Sequence, residues 1–558
     1  MPTSLTRDFE ALGSPNRFDL LIIGGGISGA CLAWDASLRG LKVALVEQGD
    51  FCSATTAASS KLIHGGLRYL KNGEVGLVRE SLNERRILQR ISPHQVRPLP
   101  FMIPTYKKGN TYWLIKAGML AYEMLSLDRN RSTDDPDQRL PGHRSLSPDK
   151  VTAMEPGVNP DKLTGGHIYY DCQCDPERHG LEFLLGAAKL GAHLVNYARV
   201  ESLTHVDKRM QPVELRDLLG GGRLQVEADM VVNLAGPWAD HIDHLCGAAD
   251  EVHLRRSKGI HLVTRALVKD NTVVLRTKTG RHFFIIPWRG HSLIGTTDTE
   301  YLGDLTELCV TEDDVEGFID EINQAYPSAD LKPEDVLYRY VGVRPLVEED
   351  TQVYQASRKY EIVDHHRRGL KGYMSAIGGK YTTSRNLAKK ICDRVLIHLD
   401  RPAVRCLTHK RLLPGGVSGR FTDWVAARKA EKPAGLDDDI LEHLLWEYGA
   451  MADELFARVE ADESLAERII PGRPEIAAQV VHALESEMAI RLCDVMVRRT
   501  GLGTLGHPGP EAVDRVCALM APRLGWDSAR IQEEKDIFAA KVRGQAEPGP
   551  TVQSADPA

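Results

Sequence analysis

The feature that most constrains this chain is a short apolar run ending in glycines, Phe18-Asp-Leu-Leu-Ile-Ile-Gly-Gly-Gly-Ile-Ser-Gly-Ala30. Leu20 to Ile23 read as a strand buried in a parallel sheet, and Gly24-x-Gly26-x-x-Gly29 follows at once. Ala30 to Leu38 takes a helical pattern, Gly40 stops it, and Leu41 to Val46 is a second strand closed by Glu47. Strand, glycine turn, helix, strand and acid within about thirty residues make a dinucleotide-binding unit. The glycines let the backbone turn tightly and approach a pyrophosphate. That group then sits on the helix N-terminus, at Ile27 and Ser28, where unpaired N–H groups and the helix dipole favour negative charge. Glu47, with Gln48 after it, would accept a hydrogen bond from a ribose 2′-OH and so favour an unphosphorylated adenosine over NADP. The alternative is a glycine-rich turn with no ligand.

A chain of 558 residues is too long for one core, so two or three domains are expected. A net charge of −7 gives no reason to expect nucleic acid. The ten cysteines include no CxxC pair, and the nearest two are Cys172 and Cys174, which points to free thiols in a reducing compartment. The first seventeen residues lack an apolar signal core, and no uninterrupted apolar run reaches about 18 residues, so a chain kept inside the cell is expected.

After Glu47, small and hydroxyl residues lead into Ser59-Ser-Lys-Leu-Ile-His-Gly-Gly-Leu-Arg-Tyr-Leu70, a composition that suits backbone threading past a large planar ligand. This stretch resembles the signature of FAD-dependent, quinone-linked glycerol-3-phosphate dehydrogenases, whose plan is that of the glycine-oxidase and D-amino-acid-oxidase type of flavoprotein. The resemblance runs over roughly residues 17 to 540. It implies an α/β fold: a Rossmann-type FAD-binding domain, an inserted and mainly antiparallel β substrate domain, and an all-α C-terminal cap. It also implies that Ser59, Ser60, Lys61, Leu62, His64, Gly65 and Gly66 contact the flavin, and that Arg199 and Val200 lie against the adenine. Ala235, Gly236 and Trp238, in the Ala-Gly-Pro-Trp turn after a buried strand, would close over FAD. Gly378, Gly379, Lys380, Tyr381 and Thr382 would carry a strand into a helix whose N-terminus faces the flavin pyrimidine ring.

The expected boundaries follow. Residues 17–110, 151–250 and 351–400 make the FAD-binding domain, and 251–350 the antiparallel-sheet substrate domain, with strands at Ile260–Thr264, Thr272–Arg276, Phe283–Trp288 and Leu293–Thr297. Residues 410–543 are helical, with periodicity over Asp437–Val459, Pro474–Arg499 and Pro510–Val542, and 544–558 reads as a disordered tail. Residues 74–92 read as a solvated helix and Pro93–Pro104 as extended. Within 111–150, Tyr112 to Leu125 forms a helix with a broad apolar face flanked by Lys107, Lys108, Arg129 and Arg131. An interfacial helix and a core helix both fit that pattern. The resemblance favours the first, because the family passes electrons to membrane quinone.

A sugar phosphate needs fixed cations. Arg68, Arg344 and Lys380 stand beside three separate glycine-bearing turns and would clamp the phosphate and hydroxyl of glycerol 3-phosphate, with Tyr69 adding a hydrogen bond. In the implied reaction a hydride leaves C2 for flavin N5 while His64 or His261 takes the hydroxyl proton. No metal is expected: His365 and His366 are adjacent and lack partners at ligand spacing. The expected partners are glycerol 3-phosphate, a membrane quinone and membrane lipid, on the cytoplasmic side at the inner face of the membrane; a homodimer is left open. The rival readings are an oxidase or dehydrogenase of the same type acting on an amino acid or 2-hydroxy acid or using oxygen, and a non-catalytic flavin-binding protein. An NAD enzyme is disfavoured, since there is no second strand–GxGxxG–helix.

Overall fold

The computed structural model describes residues 4–107, 111–131, 133–248, 254–347, 359–431 and 435–547. The glycine turn sits where the sequence puts it, between β1 (Arg17–Ile23) and α1 (Ile27–Leu38), and β2 (Val43–Val46) follows. Two strands and two helices come next: β3 (Leu62–Ile63), α2 (Val75–Ile91), β4 (Arg97–Tyr106) and α3 (Tyr112–Leu125). They lead into β5 (Arg144–Leu146), α4 (Pro148–Met154), β6 (Leu163–Gln173) and α5 (Pro176–Lys189). The strands β7 (His193–Val195), β8 (Ala198–Ser202), β9 (His205–Val206), β10 (Arg209–Met210), β11 (Val213–Asp217) and β12 (Arg223–Asn233) precede α6 (Ala239–Leu245). Then come β13 (Leu254–Thr264), β14 (Thr272–Arg276), β15 (His282–Trp288), β16 (His291–Gly295), β17 (Thr299–Glu300), α7 (Glu312–Ala325) and β18 (Val336–Val347). Finally β19 (Tyr360–Asp364), β20 (Tyr373–Gly378) and α8 (Ser384–His398) return to the first sheet.

That first sheet has the order β19-β20-β12-β1-β2-β7, parallel from β20 to β7. β1, β2, β20 and the C-terminal half of β12 are buried on both faces because α1 packs with α5 and α8 on one side and the β8–β11 layer covers the other. Parallel sheets require this double cover. The second sheet has ten strands, with β18 pairing β13 over its full length and α7 packed on its outer face through Phe318 against Phe283.

Four expectations change. The substrate sheet is not confined to 251–350, because β4 and β6 form its far half and β14 joins it to β4 in parallel. Pro98, Pro100 and Pro104 each lack an N–H donor, and while β4 pairs β6 along its length, β14 meets it only at Phe101 and Met102. Helix α2 is not a solvated helix: Leu77, Val78, Leu82, Leu88 and even Glu84 and Arg85 are buried, the charges held by Arg385 and Asp171. The three long C-terminal helices are each broken. Asp438–Tyr448 and Ala452–Ala461 part at Gly449, Ala477–Ser486 stops before Met488, and Pro510–Leu524 and Ser528–Val542 part at Gly525. Each breaking residue has positive φ, which a helix cannot continue through. Finally, 544–547 are ordered, with Glu547 paired to Arg498 and Lys541, whereas 548–558 lie outside the described residues.

Candidate active site

The carboxyl ends of β1, β2, β12 and β20 open with their loops onto one cavity of about 1700 Å³. Drug-sized ligands occupy about 300–1,000 Å³, so a dinucleotide and a small substrate fit together. Gly24 has φ +108°, and a Cβ there would stand 2.5 Å from the Leu234 carbonyl oxygen. At Gly29 a Cβ would stand 1.9 Å from the oxygen of Gly24. Gly29 therefore lets α1 close against the turn and does not line the cavity, whereas Gly24, Gly26, Ile27 and Ser28 do. Glu47 accepts from the N–H groups of Gly25 at 2.7 Å and Gly49 at 2.8 Å, and burial raises its carboxyl above the ordinary value. It braces the glycine turn and, with Gln48, lines the cavity, retaining acceptor capacity for a ribose hydroxyl.

Ser59, Ser60, Leu62, Gly66, Arg199, Val200, Ala235, Gly236, Trp238, Gly378, Gly379, Tyr381 and Thr382 line the same space. Besides Gly29, two expected contacts do not. Lys61, at φ 57°, turns its side chain away to the Ala57 carbonyl at 3.1 Å and to Glu177, which burial pushes up to about 8. Gly65 is packed against Tyr122, and its N–H donates to Asp171 at 3.2 Å.

All six expected catalytic residues line the cavity, in two groups. In the first, Lys380 Nζ lies 4.5 Å from the Tyr69 ring centroid, and the Arg68 guanidinium lies 4.9 Å from it while donating to Tyr69 Oη at 3.4 Å. Lys380 also donates to Ser81 Oγ of α2 at 2.7 Å, and burial pulls its ammonium down. Burial, then Lys380 and Arg68, push the His64 imidazole down to about 3, so it is neutral at pH 7. The His64 backbone, meanwhile, is held by Thr382 Oγ1 at 3.3 Å.

In the second group, Arg344 donates to Thr296 Oγ1 at 2.7 Å and Ser257 Oγ at 3.2 Å, with Asp298 at 3.7 Å. Gly259 leaves room for that guanidinium, since a Cβ would fall 2.2 Å from it. His261 stacks on Tyr340 at 4.8 Å, and its Nε2 shares a hydrogen with Ser60 Oγ at 2.8 Å. Burial, then Arg344 and Lys61, hold this ring well below its ordinary value.

Several lining residues escaped the sequence reading: Arg276, Arg281, His282, Phe284, Thr296 and Glu547. The signal for two was present. β15 alternates, so that Phe283 and Ile285 face the outer core while His282 and Phe284 face the cavity. Cys172 and Cys174 are buried thiols whose pKa values burial raises.

A glycine cradle at a helix N-terminus, an acid at the end of the second strand and a roofing sheet that brings cations and neutral imidazoles to the far end define a two-sheet dinucleotide-binding oxidoreductase. Residues 19–385 match the family described as FAD dependent oxidoreductase, and 406–531 match the C-terminal domain of alpha-glycerophosphate oxidase. A glycerol-3-phosphate dehydrogenase from Synechocystis sp. is 36% identical over 93% of this chain and 95% of its own. The crystal structure of the Bacillus halodurans glycerol-3-phosphate dehydrogenase complexed with FAD superposes with a TM-score of 0.75 at 28% identity, covering 97% of each chain. A Geobacillus kaustophilus glycine oxidase shares the fold, with a TM-score of 0.50 at 20% identity over 72% of this chain and all of its own (100%). The chain belongs to the FAD-dependent glycerol-3-phosphate dehydrogenase family.

Proposed function

We propose that this protein oxidises sn-glycerol 3-phosphate to dihydroxyacetone phosphate with FAD as cofactor and a membrane quinone as final acceptor. The observation that carries the reading is that Arg68, Arg344 and Lys380 all line the one dinucleotide cavity, which two neutral imidazoles also line. The cradle fits FAD: glycines that a Cβ would block, α1's N-terminus for the pyrophosphate, Glu47 for the ribose, and the Gly378–Thr382 turn for the ring. When bound, FAD supplies the acceptor for the C2 hydride.

The chain's own residues do the rest. Arginine forks and the lysine bind a dianionic phosphate and polarise the C2 hydroxyl, stabilising the developing carbonyl oxygen. His64 is the better base, because among the described residues its ring has no hydrogen-bond partner, whereas His261 Nε2 is engaged by Ser60. The substrate's negative charge offsets Lys380 and Arg68, which raises the basicity of His64 when the proton must move.

Helix α3 supports the membrane and quinone part of this reading. Its Leu114, Ile115, Ala117, Gly118 and Ala121 line the cavity, while Trp113 (73% exposed), Leu120 and Met124 are exposed. An apolar face of this kind suits the headgroup boundary at the inner face of the cytoplasmic membrane. No helix among the described residues is long and apolar enough to cross a bilayer.

The test is turnover of the FAD-replete protein with a water-soluble quinone analogue. Glycerol 3-phosphate should be oxidised, inorganic phosphate should compete with it, and acetate should not. Oxidation of glycine or lactate in preference, with acetate as the competitor, would move the protein to the carboxylate-substrate branch of this fold.

A further inference from the structure

A second cationic basin lies behind the wall of the active-site cavity. It occupies about 490 Å³ between α2, α8 and the segment after α8, and is closed at one side by the chain following α3. Arg86 and Arg90 reach it from α2, Arg385 and Lys389 from α8, Arg405 from the following segment and Arg131 from beyond α3. One carboxylate lines it, Glu84, and Arg385 takes both of its oxygens at 2.6 and 2.7 Å in a buried pair.

The remaining cations are only partly neutralised. Arg86 is held by Asp128 at 2.9 Å and Lys389 by Asp393 at 2.8 Å. Arg90, Arg131 and Arg405 make no ion pair with any described residue. A chain of net charge −7 has carboxylates to spare, so a concave site that concentrates unpaired arginines is a local departure from its overall balance. The field reaches His409 on the basin wall, which is held below its ordinary value by burial and then by Arg385, Lys410, Arg405 and Arg90.

We propose that this basin binds a small, multiply charged phosphate ester, with the guanidinium forks of Arg90, Arg131 and Arg405 taking the phosphate oxygens over a floor made by the Arg385–Glu84 pair. Forked, permanently charged guanidinium donors match phosphate better than the point charges of lysine ammonium groups would. The volume admits a bisphosphate or a sugar phosphate but not a dinucleotide. This site is separate from the substrate clamp and does not depend on the function proposed above. The two share a wall, since α2 carries both Glu84 of the floor and Ser81, which accepts from Lys380.

The experiment uses FAD-loaded protein carrying Arg344→Ala, which weakens the substrate clamp, and titrates inorganic pyrophosphate by calorimetry at fixed low salt. Adding Arg90→Ala, Arg131→Ala and Arg405→Ala should weaken binding at least about tenfold, the scale of losing charge-assisted bonds. The three side chains are exposed, so flavin content and circular dichroism should be unchanged, and the corresponding Arg→Lys triple should retain part of the affinity. If pyrophosphate does not bind but vesicles of phosphatidylcholine doped with phosphatidic acid do, and the triple Ala variant loses that binding, the phosphate belongs to a lipid headgroup and the same site stands. Equal pyrophosphate affinity with and without the triple substitution, no binding to either probe, or vesicle binding without pyrophosphate binding that the triple Ala variant keeps, overturns the proposal.

Discussion

Two clusters of cations in this protein are built differently. Where the helical C-terminal region meets the nucleotide-binding sheet, Arg498 and Arg499 are fully buried and each is locked to Asp50, at 2.7 and 2.8 Å, with Asp494 and Glu547 completing the group. Burial pushes the Asp50 carboxyl up, but Arg499 and Arg498 outweigh it and hold the group below its ordinary range. In the cavity, Lys380 rests on the Ser81 hydroxyl, and Arg344 on those of Ser257 and Thr296, with Asp298 at 3.7 Å. Paired charges at the junction hold two regions together and leave little field. A charge propped by a neutral hydroxyl, as Lys380 is, keeps its field for an incoming anion. The contrast also gives the helical region a role: it clamps the loop after β2, on which the glycine turn leans through Glu47.

Breaking each cluster should therefore have different consequences. Arg344→Ala should lower kcat/KM by about 10³-fold, on the scale of losing a preorganised charge at the reacting oxygen, while FAD stays bound and the melting temperature hardly moves. Asp50→Asn should do the reverse: about 3–5 kcal/mol of stability lost, because two buried guanidiniums lose the carboxylate they share, with KM little changed at low temperature. A denaturant melt alongside steady-state kinetics separates the two.

The cavity field is sharpened by pH. His64 is neutral until about pH 3 in the free protein, so it gives no acid limb near 6.5 to kcat/KM. Lys380→Met removes a cation that depresses it, so its pKa should rise and the residual activity should fall away at a higher pH than in the wild type. The smallest effect is expected outside both clusters. Trp113→Glu with Leu120→Glu on α3 should abolish co-sedimentation with anionic vesicles yet leave turnover with a soluble acceptor within about twofold.

The local part of this architecture was legible in the chain. The glycine turn, the buried strand before it and the acid after it are contiguous, and their chemistry does not depend on distant residues. The resemblance also singled out Arg68, Arg344 and Lys380, which all line the one cavity. What escaped depends on partners far along the chain. Glu84 reads as surface charge until Arg385, 301 positions later, is found against it, and Lys61 reads as a flavin contact until Glu177 turns it away. β4 and β6 join the substrate sheet through a pairing that periodicity alone does not encode. The breaks at Gly449 and Gly525 were written in the sequence, but an amphipathic pattern continuing across each glycine masked them.

The central claim is that the cavity cations hold glycerol 3-phosphate for oxidation by the bound flavin. The most direct measurement is the long-wavelength flavin absorbance of the FAD-replete protein under anaerobic conditions as glycerol 3-phosphate is added. The account predicts bleaching that saturates with substrate, is reversed by a quinone analogue faster than by air, and is lost in Arg344→Ala despite full flavin content. A flavin that stays oxidised with glycerol 3-phosphate but bleaches with an amino acid or a 2-hydroxy acid would contradict it.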